Sequence, residues 1–110
     1  GENISAWEIE TNLNNHNEIS ESAILSVKAE VGEEDIAVLL VSKKKNKTNL
    51  NDLIKEVAKK LPKNYLPRYW SYVNNLPRTP SLRIDKKLIK IETFKFYDFL
   101  KHKFTVLNRN

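Results

Sequence analysis

Two adjacent apolar patterns, "SAILSVKAEV" and "IAVLLV", constrain this 110-residue chain most. In the first, Ala23, Leu25, Val27, Ala29 and Val31 alternate with Ser22, Ser26, Lys28 and Glu30, which is the period of a half-buried strand. The second runs six apolar residues together, Ile36 to Val41, and suits a strand covered on both faces. A strand with two covered faces needs packing on each side. The "GEED" between them reads as a turn, so the two strands should pair antiparallel.

Helices can supply that cover. In "NLNDLIKEVAKKLP", Leu50, Leu53, Ile54, Val57, Ala58 and Leu61 keep the three- and four-residue spacing of an amphipathic helix, with Thr48 or Asn49 as its cap and Pro62 as its stop. The opening "GENISAWEIE" sets Ser5 and Glu8 at capping-box spacing, with Ile4 and Ile9 as a hydrophobic staple. It predicts a helix over 6–14 that turns Ile9 and Leu13 inward and ends at "NNHN". "RYWSYV" reads as a third strand. Asp85 can cap a last helical segment from Lys86, and "FKFYDFLKHKF" suggests a helix docking Phe96, Phe99, Leu100 and Phe104. The expected fold is α+β: a small three-stranded sheet with helices packed against it.

Composition narrows the chemistry. Nineteen Lys and Arg against 14 Asp and Glu give a net charge of +5, with most acids before residue 36. The basic second half favours anionic partners, although surface lysines also keep a small domain dispersed, and Lys43 to Lys47 read as a solvated turn. With no cysteine there is neither a disulfide framework nor a thiolate zinc site, which fits a reducing, cytoplasmic setting. No apolar run approaches the roughly 20 residues of a membrane span. Gly1 and Gly32 are the only glycines, so a glycine-rich phosphate loop and a nucleophile elbow are both excluded. His16 and His102 lack helical ligand spacing and are expected at the surface, with no metal site. The aromatic strand between Arg68 and Arg78 could stack bases, but alternate aromatics on a strand usually pack under a helix, and no nucleic-acid partner is expected.

The stretch "LPRTPSLRID", Leu76 to Asp85, sets two prolines and two arginines between the aromatic strand and a lysine-rich tail. Extended through Ile89 it reads "LPRTPSLRIDKKLI" and resembles the closing motif of adenylate-forming enzymes, commonly L-P-R-T-x-[ST]-G-K-[IV]-x-[RK]-x-x-L. "GENISAWEIE" resembles the motif that opens their C-terminal domain, G-E-N-I-x-P-x-E-I-E. The strand pair, second helix and third strand lie between in the family's order. The resemblance covers residues 1–90, the lid domain, and leaves 91–110 as a C-terminal extension of the same domain.

The resemblance implies the lid of an ATP-dependent acyl-CoA synthetase. Such an enzyme activates a carboxylic acid with ATP and Mg2+ as an acyl-adenylate and transfers the acyl group to coenzyme A. The N-terminal domain of the same enzyme would hold the acid and most of the ATP contacts, and the lid alone would be inactive. Carnitine or fatty-acid CoA ligases are similar candidates. A peptide-synthetase adenylation domain is an alternative, and a basic binding module without catalytic use is another. By resemblance Arg83 stands where the family has its catalytic lysine, and Leu82 where it has glycine. Arginine keeps the charge but not the shape of the lysine ammonium, and leucine resists the positive φ that glycine adopts. Either Arg83 does the lysine's work, or Lys86 or Lys87 reaches in, or adenylation is poor. Gly1, Glu2 and Asn3 would lie at the coenzyme A tunnel, Gly1 because a side chain there would crowd it.

Overall fold

A computed structural model describes residues 5–28, 34–62 and 65–108. Helix α1, Ala6–Asn14, precedes strands β1, Ile19–Lys28, and β2, Glu34–Ser42. Helix α2, Leu50–Ala58, leads to β3, Tyr69–Tyr72, and two 3-10 turns, Lys86–Leu88 and Ile91–Thr93, lead to β4, Lys95–Asp98, and β5, Lys103–Val106. The five strands form one sheet in chain order.

The expected antiparallel pairing of β1 with β2 is present, with Ala23 opposite Leu39 and Leu25 opposite Ala37. β3 lies parallel to β2, a pairing that needs a long crossover, and α2 lies in that connection. Alternation along β2 then divides the core in two. Val38 and Leu40 pack beneath the helices with Ile9, Leu13, Leu53, Ile54 and Trp70. Ala37 and Leu39 face the other way, toward Val73, Leu76, Ile89 and Ile91. The second cover is therefore irregular chain rather than helix, and it carries the Leu76 to Asp85 loop out from that face. β1 is covered on both sides as well, since Ser22 and Ile24 are buried along with Ala23 and Leu25. Ala29 and Val31 lie outside the described residues.

The sheet has five strands, not three, and the expected last helix is the β4–β5 hairpin. Phe96 is buried on the loop side of the sheet and Tyr97 on the helix side, a division that consecutive residues achieve in a strand. The Asp98 carboxylate accepts the N–H groups of Leu100 and Lys101, a local turn that competes with helix. Leu100 and Phe104, expected to dock, are exposed. β4 also satisfies the edge of β3 that a helix would leave open.

The two helix starts differ. The Asn49 side chain caps α2 by accepting the N–H groups of Asn51 at 2.9 Å and Asp52 at 3.4 Å. Ser5 occupies the capping position of α1, but its side chain makes no capping bond, and only its carbonyl receives the N–H groups of Glu8 and Ile9. The capping box is thus not formed, and with Ser5 and Glu8 both exposed, water can serve the first-turn donors. Ile4, the other half of the staple, lies outside the described residues. Asp85 caps its turn as expected, accepting from the Lys87 N–H at 3.2 Å. Among the described residues no helix is long and apolar enough to cross a membrane.

Candidate functional site

The loop singled out in the sequence is a tight hairpin. Arg78 and Ile84 form an antiparallel bridge, and the Asp85 N–H donates to the Pro77 carbonyl at 2.8 Å. Nearer the tip, the Thr79 N–H donates to the Arg83 carbonyl at 2.7 Å and the Leu82 N–H to the Thr79 carbonyl at 2.9 Å. Pro80 fixes its own φ at the start of the turn, and the Thr79 hydroxyl lies 3.0 Å from that of Ser81. A three-residue hairpin loop of this kind needs its last residue in the left-handed region. Leu82 is there, at φ 70°. For a residue with a Cβ this costs about 1–2 kcal/mol, which glycine would avoid.

Arg83 follows directly. Its N–H donates to Oγ1 of Thr79 at 3.2 Å, its side chain is exposed, and its guanidinium has no hydrogen-bond or ion-pair partner among the described residues. The alternative cations differ in how they are held. Lys86 Nζ lies 2.8 Å from Oε2 of Glu10, and the same carboxylate atom accepts the N–H of Ile24 at 2.7 Å on the outer edge of β1. Lys86 is therefore tied to α1. Lys87 is exposed, one turn past the base of the hairpin. Arg78 is engaged twice, by the Leu82 carbonyl at 2.8 Å and by Glu21 on β1. Gly1, Glu2 and Asn3 lie outside the described residues.

The hairpin offers cations and hydroxyls. That set fits the oxygens of a phosphate or carboxylate, and it lacks the clustered carboxylates that a magnesium ion takes.

A second cluster was not legible from spacing. His16 is half-buried after α1, where its Nδ1 accepts the Glu18 N–H at 3.1 Å and its Nε2 lies 3.4 Å from Glu56 on α2. The Glu18 carboxylate accepts from the Thr48 hydroxyl and pairs with Lys44 at 3.2 Å. The Thr48 hydrogen bond holds that carboxyl below its ordinary range, opposed by desolvation and helped by Lys44. The ligand-type atoms of His16, Glu18 and Glu56 lie within 4.8 Å of one another, beside an open cavity of about 390 Å³. Each is already used within the protein, joining α1, β1 and α2. His16, expected as an isolated surface histidine, finds its partner only through the packing of α2. His102 is exposed and meets the Tyr97 hydroxyl at 3.1 Å.

The fold and the match to a known domain family together make this the C-terminal domain of an adenylate-forming enzyme. The chain belongs to the family described as AMP-binding enzyme C-terminal domain, which matches residues 8–83 and so ends at Arg83. Over 86 residues it is 36% identical to a plipastatin synthase subunit of Bacillus subtilis (strain 168), covering 78% of this chain and 2% of that protein. Over 89 residues it is 33% identical to bacitracin synthase 2 of Bacillus licheniformis, covering 81% and 3%. Among solved structures, a Brucella canis acyl-CoA synthetase matches with a TM-score of 0.71 and 26% identity, over 80% of this chain and 17% of that one. A Mycobacterium tuberculosis fatty acyl CoA synthetase matches with a TM-score of 0.71 and 25% identity over the same shares. The chain thus spans a small part of the length of each of these relatives.

Proposed function

We propose that this domain closes over the active site of an ATP-dependent acid–thiol ligase, with Arg83 as the cation that serves adenylation. The observation that carries this reading is the exposed Arg83 guanidinium next to the hairpin turn, which has no partner among the described residues, whereas Lys86 is held by Glu10. In the first half-reaction a carboxylate oxygen of the acid attacks the α-phosphorus of ATP, the bond to pyrophosphate breaks, and an acyl-adenylate forms. A fixed cation between carboxylate and α-phosphate holds two anions together and stabilises the charge of the transition state. In the second, a thiol sulfur attacks the acyl carbonyl and AMP leaves.

Magnesium would be held by the nucleotide phosphates and by residues beyond this chain. The N-terminal domain of the same enzyme would bind ATP and the acid, so these 110 residues by themselves are expected to be inactive. Residues 91–110 count with the same domain on this reading, because β4 pairs with β3. Gly1, Glu2 and Asn3 would line the passage for the pantetheine arm of coenzyme A. The absence of cysteine fits a cytoplasmic enzyme.

Coenzyme A as the acceptor is supported by the likeness to acyl-CoA synthetase structures. A second reading, a peptide-synthetase adenylation domain that loads a carrier-protein thiol, is favoured by the 36% and 33% identities to the two synthases. ATP–pyrophosphate exchange by the full-length protein, with fatty, aryl and amino acids in turn, separates them. Exchange with non-amino acids followed by acyl-CoA formation supports the first reading. Exchange with an amino acid and no coenzyme A thioester supports the second.

A further inference from the structure

The hairpin asks for glycine at position 82 and has leucine. Leu82 takes the left-handed conformation with its side chain 74% exposed, so side-chain packing does not hold it there. Leu82 is held at both ends of its backbone, its N–H by the Thr79 carbonyl and its carbonyl by Arg78. Nη1 of Arg78 donates to the Leu82 carbonyl at 2.8 Å, while its Nη2 pairs with Glu21 on β1. A planar guanidinium can serve two acceptors in fixed directions, which a lysine ammonium on a flexible stem does less well. The Leu82 carbonyl and the Arg83 N–H share one planar peptide unit, so fixing the first fixes the second. That N–H in turn donates to Oγ1 of Thr79. Thr79 thus closes the hairpin on itself, and Arg78 ties the strained peptide to β1 through Glu21.

We propose that Arg78, tethered by Glu21, is a positioning residue for adenylation. It keeps the Leu82–Arg83 peptide in the left-handed turn, so that Arg83 leaves the hairpin in one direction. This inference rests on the role of Arg83 given above. The clamp takes over a constraint that glycine would satisfy without help.

The test uses the full-length enzyme with Arg78→Ala, Leu82→Gly, the double variant, Glu21→Gln and Arg83→Ala. Two quantities are read: amide hydrogen exchange at Leu82 and Arg83, and kcat and KM for ATP in ATP–pyrophosphate exchange. Arg78→Ala is expected to speed exchange of those amides and to lower kcat about tenfold with little change in KM, a loss of orientation rather than of binding. Glu21→Gln should do the same more weakly. In the double variant, Leu82→Gly should recover most of both losses, because the cost that the clamp offsets is gone. Unchanged amide exchange in Arg78→Ala, or no recovery in the double variant, overturns the inference. If Arg83→Ala leaves kcat intact, the role of Arg83 fails, and the amide data still report separately whether the clamp exists.

Discussion

Arg68 grips Asp98 through two parallel hydrogen bonds, 2.9 Å from Nε and 2.8 Å from Nη2. Asp98 is 2% exposed, and Asp35 on β2 approaches the same guanidinium at 3.9 Å. The pair joins the residue before β3 to the end of β4 and so fastens the hairpin beyond Arg83 to the sheet. Asp98→Asn should cost about 3 kcal/mol at pH 7, because it leaves a mostly buried arginine without its main partner. Chemical denaturation of the two proteins checks this.

The same carboxyl gives a pH dependence. Burial raises the Asp98 pKa, but hydrogen bonds from Arg68 and from the Lys101 and Leu100 N–H groups, with the Arg68 charge, bring it below the ordinary 3.8. Its contribution is therefore present above pH 3.8 and lost as pH falls below that through the folded value. Stability measured from pH 6 downward should decline, and Asp98→Asn should flatten part of that decline. Glu18 is shifted the same way and leaves a residual slope.

Tyr72 titrates at the other extreme. Burial, then the charges of Glu18 and Glu56, push its hydroxyl up to about 12, and it donates to the Thr48 carbonyl at 2.6 Å. A raised acid favours the fold while protonated, so its contribution is present below pH 10 and lost as pH rises toward 12. Ultraviolet titration should show a late tyrosine step that Tyr72→Phe removes.

The helix caps make a contrast. Asn49→Ala should destabilise the domain by about 1 kcal/mol, and Ser5→Ala by only a few tenths, roughly, because its side chain caps nothing. Equal losses in thermal unfolding would contradict the difference.

Leu82→Gly removes a Cβ from a left-handed residue that packs little. It should raise stability by about 1 kcal/mol despite the flexibility glycine adds to the unfolded chain. Denaturant midpoints at constant m-value measure it.

Much of this was legible in the sequence where one rule acted alone. Six consecutive apolar residues dictated a two-sided strand, and Thr48 or Asn49 before an amphipathic stretch dictated a capped helix, with Asn49 the residue that caps it. Where local signals competed, tertiary pairing decided. Residues 94–104 carry aromatics at spacings a helix could use, and the unpaired edge of β3 together with the Asp98 turn made them strands instead. In the candidate site, the motif located Arg83 and pointed to a positive φ where leucine replaces glycine, and the hairpin has it. What the sequence did not reveal was Arg78 between Glu21 and Leu82, or Lys86 on Glu10, because those partners meet only after β1 and α1 are in place.

On the proposed reading, Arg83 serves the adenylation half-reaction. ATP–pyrophosphate exchange by the full-length enzyme, wild type against Arg83→Ala and Arg83→Lys, measures it directly. Arg83→Ala should lower kcat by about 10²- to 10³-fold with thioester formation from preformed acyl-adenylate kept, and Arg83→Lys should retain substantial exchange. An Arg83→Ala enzyme that exchanges pyrophosphate at the wild-type rate would contradict that role.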